Sequence, residues 1–333
     1  MKVLIAAGGT AGHLFPAQEL AELLEKDSEV IFAGHGLAKS PYFKKERFRS
    51  CEVVSCPFGL RFFLTLAVGL FAAIRLLLRE KPDVVVGFGS YHTVPVLLAS
   101  VLLRKKIVLY EANRSMGKVN QLFTPFAKKI AVQFLVSKKH TAVPFFPWIK
   151  KEKMERAAAL QEYGLNPTAK TLLVFGGSQG AKFLNERLPK VALKMQIIHL
   201  AGSEEAAKLV KEEYTKAGVT SIVLSFEKKM ARAYAAADFA ICRSGAGTCA
   251  ELIYYQVPSL QIPYPYAYGH QELNAKFLED LGGANVLLQK EASPENIVKE
   301  IERMDLDAMR VALRSAEAQN QSLMGLDELV RRC

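Results

Sequence analysis

His13 closes the glycine-rich run Gly8-Gly9-Thr10-Ala11-Gly12. A neutral imidazole at such a place can take a proton from a hydroxyl. The positive end of a following helix favours that neutral form. A histidine that merely caps the helix is the plainer alternative. Glu111 and Asn113 follow the apolar run 107–110, at what should be the carboxyl end of a parallel strand. Ligands bind there in open α/β sheets, although a loop carboxylate facing water would read the same. Glu251 lies about one helical turn past Ser244-Gly245-Ala246-Gly247, where a carboxylate can accept hydrogen bonds from ribose hydroxyls. Arg243 stands at the mouth of that loop and could pair with phosphate. His270, Gln271 and Asn274 follow the proline- and tyrosine-rich stretch 263–269. Their imidazole and amide groups suit a hydroxyl-rich sugar, or simply cap a helix. The one pair of aspartates spaced to hold a divalent ion is Asp305-Leu306-Asp307, among surface-helix residues. Helix capping is the expectation there, with no metal and no other cofactor.

Strand–turn–helix units must place these groups, and the same unit occurs three times. Residues 2–7 run into Gly8-Gly9, residues 83–86 into Gly87-Phe88-Gly89, and residues 171–175 into Gly176-Gly177-Ser178-Gln179-Gly180. Glycine lets the backbone bend sharply and approach a ligand, and the next helix points unsatisfied N–H groups at it, which suits phosphate. The third unit opens the second half of the chain, which predicts two nucleotide-fold domains facing one cleft. Strands are expected near 2–7, 29–33, 51–54, 83–86, 106–110 and 129–133. In the second half they fall near 171–175, 196–200, 220–224, 238–242, 258–262 and 285–288. Helices are expected near 16–26, 62–79, 92–103 and 117–127. Further on they fall near 181–193, 204–217, 229–236, 247–255, 270–281, 294–303 and 307–331. This alternation predicts parallel, doubly wound sheets. The stretch 143–149 holds two prolines and no periodicity, and reads as the linker.

Half of the residues are hydrophobic, which excludes a disordered chain. The length favours two domains. The five cysteines are odd in number and show no paired CxxC spacing, so reduced thiols in a cytosolic protein are expected. Met1 runs straight into the first strand, so a chain that stays in the cytosol, without a signal-like leader, is expected. The net charge of +11 is uneven: residues 1–148 hold 20 Lys/Arg against 10 Asp/Glu, and residues 149–333 hold 24 against 23. The first half should therefore meet something anionic. No zinc-finger or RNP signature accompanies the charge, so nucleic acid is not an expected partner.

Residues 62–74 carry no charge, and Arg61, Arg75, Arg79 and Lys81 flank them. The run is too short to span a bilayer. It reads either as a helix lying at an anionic membrane surface or as a buried core helix, and the basic first half favours the membrane.

Six motifs in order resemble the MurG family of bacterial N-acetylglucosaminyltransferases. They are GGTAGHLFPA at 8–17, GFGSY at 87–91, YEANRSMGKVN at 110–120, FGGSQGAKFLN at 175–185, ADFAICRSGAGTCAEL at 237–252 and HQELNA at 270–275. The resemblance spans nearly the whole chain. It implies a GT-B fold of two Rossmann-like domains. An acceptor and membrane-associating domain would cover 1–147 and a donor domain 148–318, with a C-terminal helix at 319–333 returning to the first. It implies inverting, metal-independent transfer of GlcNAc from UDP-GlcNAc to the MurNAc 4-hydroxyl of lipid I. The product is lipid II, made on the cytoplasmic face of the plasma membrane, with other cell-wall synthesis proteins as further partners. On the donor side the resemblance implies Ser178, Gln179 and Gly180 at the diphosphate and Glu251 at the ribose. The backbone after Phe226 would read uracil, and Gln271 would meet the sugar hydroxyls, with Asn274 nearby on the donor side. Asn185 and Arg243 match functionally sensitive positions. On the acceptor side it implies Thr10, Ala11, Gly12, Tyr91, Glu111, Asn113 and Asn120. His13 matches the family's general base, with Glu111 as its rival.

The chain departs from the family pattern at four places. Ala11 replaces a second glycine, and Tyr110 and Ala112 replace polar residues. Glu227-Lys228-Lys229 replaces an aspartate-rich turn, and Lys150 stands near an expected arginine. Lysine lacks the planar fork of arginine. Two other functions fit less of the pattern: a related glycolipid synthase acting on diacylglycerol, and a weakly active scaffold of a cell-wall complex.

Overall fold

The computed structural model describes residues 1–9, 11–56, 59, 62–134, 140–143, 154–177, 180–191, 193–266 and 269–333, without the side chain of Phe62. Thr10, Lys150, Ser178, Gln179 and nearly all of the expected linker at 143–149 lie outside the described residues.

The chain divides into two compact units, Met1–Trp148 with Ser322–Cys333, and Ile149–Gln321. The first holds strands Lys2–Ala6 (β1), Glu29–Gly34 (β2), Ser50–Glu52 (β3), Val84–Gly87 (β4), Lys106–Glu111 (β5), Lys129–Val132 (β6) and Thr141–Ala142 (β7). They form one sheet in the order β3-β2-β1-β4-β5-β6-β7, every pair parallel. The second holds Thr171–Phe175 (β8), Gln196–Leu200 (β9), Ser221–Leu224 (β10), Phe239–Cys242 (β11), Ser259–Gln261 (β12) and Ala284–Val286 (β13). Their order is β10-β9-β8-β11-β12-β13, again all parallel. These are the two doubly wound sheets expected from the alternation of elements.

The central strands are uninterrupted apolar runs because helices cover both faces of a parallel sheet. Val3, Leu4, Ile5 and Ala6 of β1, and Leu172, Leu173 and Val174 of β8, are completely buried. In each unit the strand order reverses between its first and fourth strands, at β1/β4 and β8/β11. The crevice at the carboxyl ends of such strands is where open α/β sheets bind ligands. All three glycine clusters, and the loop after β11, lie at these ends.

Four boundaries differ from the sequence reading. The first helix is Ala11–Leu24, so Pro16 sits inside it and His13 in its first turn. Pro16 forgoes a single intrahelical bond, a loss the helix tolerates near its start. A helix at Arg156–Tyr163, closed by Gly164 in the left-handed conformation, was not expected. The long C-terminal helix is two helices, Leu306–Gln321 and Leu326–Arg331, the second beginning at the N-cap Gly325. β7 was also not expected. The last helix buries Leu326, Leu329 and Val330 in the core that also holds Leu14, Ala17 and Leu20 of the first helix. Arg331 pairs with Asp27 at 3.0 Å and donates to the Leu23 carbonyl at 3.0 Å.

Candidate functional site

In the first unit the glycine cluster is shaped by close packing. A Cβ on Gly8 would lie 2.8 Å from the Cβ of His92 and 3.0 Å from the His35 carbonyl. Gly9 has φ +88°, a conformation that side chains disfavour. Ala11 is buried and Gly12 exposed. His13 is half-buried, with Nδ1 2.8 Å from the carbonyl oxygen of Phe88, in the second glycine cluster. A carbonyl only accepts, so Nδ1 carries the hydrogen and the neutral ring leaves its lone pair on Nε2. The ring of Tyr91 stacks on His92 with centroids 4.0 Å apart, and His92 stacks on His35 at 5.7 Å. Burial, and then the neighbouring His35 and His13, hold the His92 imidazole below its ordinary range.

Glu111 ends β5, buried, and both its oxygens are engaged. Oε1 accepts from the Asn113 backbone N–H at 3.0 Å and its side-chain amide at 3.1 Å. Oε2 accepts from Gly117 N–H at 2.9 Å and the Asn120 amide at 3.0 Å. Asn120 is buried and also donates to the Tyr110 carbonyl at 2.9 Å. The structure thus joins Glu111, Asn113 and Asn120 into one knot that shapes the loop after β5. Tyr110, where the family has a polar group, turns inward against Phe88, with centroids 5.1 Å apart and its hydroxyl on Gln133 at 3.1 Å.

In the second unit the loop after β8 is equally tight. A Cβ on Gly176 would meet Ala181 Cβ at 2.3 Å, and one on Gly180 would meet the Ala201 carbonyl at 2.3 Å. Asn185, on the following helix, donates to that same carbonyl at 2.9 Å and accepts from His199 Nε2 at 3.0 Å. His199 is fully buried, which pulls its imidazole down to about 3 and keeps it neutral. A groove of about 670 Å³ runs beside Asn185, lined neither by Glu251 nor by Gln271.

Glu251 sits on the helix Ala246–Tyr255, only 9% exposed. Its Oε2 accepts from the Tyr234 hydroxyl at 2.5 Å. Among the described residues no donor reaches Oε1. Burial pushes the carboxyl up to about 7, against the downward pull of the Tyr234 bond. Gln271 Oε1 accepts from Ser244 N–H at 3.1 Å and Tyr264 N–H at 3.0 Å, and the Asn274 amide donates to the Ser244 carbonyl at 3.1 Å. Gln271 and Asn274 therefore grip the turn after β11, and Asn274 is completely buried.

Arg243 departs from its expected place at the loop mouth. Its guanidinium is turned inward, donating to the carbonyls of Ile262 at 2.9 Å and Pro263 at 3.1 Å and to Gln289 at 2.6 Å. Backbone carbonyls and phosphate oxygens can both accept from the fork, and spacing along the chain cannot tell them apart.

Phe226 is 59% exposed, while the next residue, Glu227, is buried. Glu227 accepts from the Tyr163 hydroxyl at 2.6 Å, from Arg232 at 2.6 Å and from Lys229 N–H at 2.8 Å. Sequence reasoning missed Tyr163, Arg232 and Tyr234. Tyr234 had a weak signal, as the one strong hydrogen-bonding group in the short helix Met230–Ala236 besides Arg232. Asp305 caps its helix by accepting from Ala308 N–H at 3.0 Å, and Asp307 pairs with Arg310 at 3.1 Å.

Comparison with known proteins agrees with this architecture. Residues 3–132 match the glycosyltransferase family 28 N-terminal domain, and residues 171–330 match its C-terminal domain. The UDP-N-acetylglucosamine–N-acetylmuramyl-(pentapeptide) pyrophosphoryl-undecaprenol N-acetylglucosamine transferase of Protochlamydia amoebophila is 38% identical, over 94% of this chain and 91% of its own. The enzyme of the same name from Chlamydia trachomatis serovar L2 is 36% identical, over 90% and 88%. The crystal structure of Acinetobacter baumannii MurG covers 100% of this chain and 99% of its own, with a TM-score of 0.79 at 27% identity. VinC, a glycosyltransferase solved with dTDP, shares the fold at a TM-score of 0.72 and 14% identity. With both halves matched in order and relatives aligned over almost its full length, the chain belongs to the MurG family of N-acetylglucosaminyltransferases, within glycosyltransferase family 28.

Proposed function

We propose that this enzyme transfers GlcNAc from UDP-GlcNAc to the MurNAc 4-hydroxyl of lipid I, forming lipid II, with inversion at the anomeric carbon. The acceptor is assigned to the first unit and the donor to the second. His13 Nε2 takes the hydroxyl proton while the oxygen attacks the anomeric carbon opposite UDP. The bond to the diphosphate breaks and UDP leaves with the electron pair. Backbone N–H groups of the loop after β8 hold the charge that develops on the diphosphate, as preorganised donors do elsewhere. Ser178 and Gln179 join them in this assignment, and Lys150 is assigned to the donor.

Glu251 takes the ribose hydroxyls, the backbone after Phe226 reads uracil, and Gln271 meets the GlcNAc. Asn274 and Arg243 act one step back, since the Asn274 amide and Arg243 Nη1 already hold backbone carbonyls. Thr10, Ala11, Gly12 and Tyr91 line the acceptor loop. Glu111, Asn113 and Asn120 fix its neighbour. The observation that carries the assignment of the base is the His13–Phe88 hydrogen bond, which leaves Nε2 as an acceptor at the family's glycine cluster.

We further propose that the first unit docks on an anionic membrane through the helix Phe62–Glu80. Among the described residues no helix is long and apolar enough to cross a membrane. This helix is two-faced instead. Ala73 and Leu77 are completely buried, whereas Phe63 is 79% exposed, Leu64 76% and Phe71 70%. Exposed Arg75 and Lys81 accompany that apolar face. Such a face suits the boundary of headgroups and acyl chains, and each basic group near an acidic leaflet adds about 1 kcal/mol.

The test is turnover of radiolabelled UDP-GlcNAc with a short-chain lipid I analogue, with and without EDTA. Labelled lipid product under both conditions is expected. Product from UDP-galactose and diacylglycerol instead would make the protein a glycolipid synthase. Tight UDP binding without turnover would make it a scaffold.

A further inference from the structure

We infer that Tyr234 is the positioning residue that aims the Glu251 carboxylate at the donor's ribose. The inference rests on the proposed ribose role of Glu251. Tyr234 is 2% exposed and its ring is held from two sides. It stacks on Tyr255 with centroids 4.9 Å apart and planes 15° apart, and it meets Phe175 edge-on at 5.8 Å. Tyr255 shares a helix with Glu251, and Phe175 is the last residue of β8, directly before the diphosphate loop. One ring is thus wedged between the element carrying the ribose carboxylate and the strand carrying the phosphate-binding loop. Its hydroxyl donates to Oε2 at 2.5 Å.

A carboxylate offers about four acceptor sites. The Tyr234 bond takes one of them on Oε2 and leaves Oε1 open, which suits the two adjacent hydroxyls of a ribose. The other groups around Glu251 do not compete. Burial keeps the thiols of Cys242, on β11, and Cys249, on the same helix, above their ordinary range and therefore neutral. Arg243 is engaged with the carbonyls of Ile262 and Pro263. Tyr234 is thus the donor that favours the ionised form of an acid whose burial opposes ionisation.

The experiment is calorimetric titration of the full chain with UDP-GlcNAc, whose diphosphate does not titrate near neutrality, from pH 6 to 9. Wild-type protein should bind more weakly as pH falls through about 7, because a protonated acid can no longer accept from both hydroxyls. Tyr234→Phe should bind roughly 3–10-fold more weakly at pH 7. Its pH midpoint should lie above that of the wild type, since a donor to the charged form is gone. Glu251→Gln should bind weakly at every pH. A merely structural tyrosine would leave the midpoint in place. Tyr255→Leu keeps the hydroxyl but removes its stacking partner, and should shift affinity the same way by less, which tests the idea should Tyr234→Phe melt early. If Tyr234→Phe keeps wild-type affinity and midpoint while Glu251→Gln loses binding, the inference is overturned and the ribose role of Glu251 stands. If Glu251→Gln binds like wild type, the ribose role itself falls.

Discussion

The two units share one topology and put a glutamate near the carboxyl ends of their strands, yet they wire it in opposite ways. Glu111 in the first unit meets four donors, two on each oxygen. Glu251 in the second meets one among the described residues, and burial pushes it up to about 7. A carboxylate with both oxygens held by backbone and side-chain N–H groups is an anchor, because accepting a ligand would break bonds the loop needs. A carboxylate with one oxygen open and little solvent is poised to exchange its missing bonds for those of a ligand. On the proposed roles, His13, whose Nε2 meets no partner among the described residues, would carry the chemistry in the first unit, and Glu251 the binding in the second.

The largest effect expected from this contrast is at His13. His13→Ala should lower kcat about 10²–10⁴-fold, the usual contribution of a general base, with UDP affinity barely changed. Near-wild-type kcat in that variant, together with abolished turnover in Glu111→Gln, would reverse the comparison and make Glu111 the base. Glu251→Ala comes next. Losing a charge-assisted acceptor should weaken UDP binding by about 1.5–3 kcal/mol in calorimetry, with the melting temperature little moved. Unchanged affinity would remove Glu251 from the donor site.

Glu111→Gln should act on stability more than on chemistry. The new amide faces N–H groups of Gly117 and Asn120 where an acceptor stood, at a cost of about 1–3 kcal/mol, measured as a lower thermal midpoint. Activity surviving at a temperature where the variant is folded would sharpen the anchor assignment.

Tyr163→Phe should cost about 1 kcal/mol by removing one of three donors to buried Glu227, read as a small loss of stability and a weaker preference for uridine over cytidine donors. An unchanged preference would separate the Glu227 network from base reading. The membrane face offers a contrast without a counterpart in this comparison. Replacing Phe62, Phe63 and Phe71 with serine should release the protein from anionic vesicles in a sedimentation assay while UDP binding persists. Unfolding of that variant would point instead to a core helix.

The sequence by itself determined the elements and the chemistry at their ends. Short apolar runs such as 3–6 and 172–175, followed by glycines, read as strands buried on both faces, and Gly8 and Gly176 after them mark turns where a Cβ has no room. These are local properties, carried by neighbours in the chain. The helix Arg156–Tyr163 was also legible, in its alanine run and closing Gly164, although no element was expected there. The break at 322–325 was hidden because apolar spacing continues across it, and Gly325 was its one mark. Only the tertiary structure decided what each polar group faces. Arg243 read as a group at a loop mouth, and the chain after β12 brings the Ile262 and Pro263 carbonyls against its guanidinium. Glu111 read either as a loop carboxylate or as a rival base, and the fold sets donors of Asn113, Gly117 and Asn120 on both its oxygens. Glu251 found Tyr234, 17 residues earlier in the chain, on a separate helix. A hydrogen bond depends on distances of about 3 Å between groups that the fold brings together. Periodicity and spacing place a residue on its element, but they leave open which donors the neighbouring elements supply.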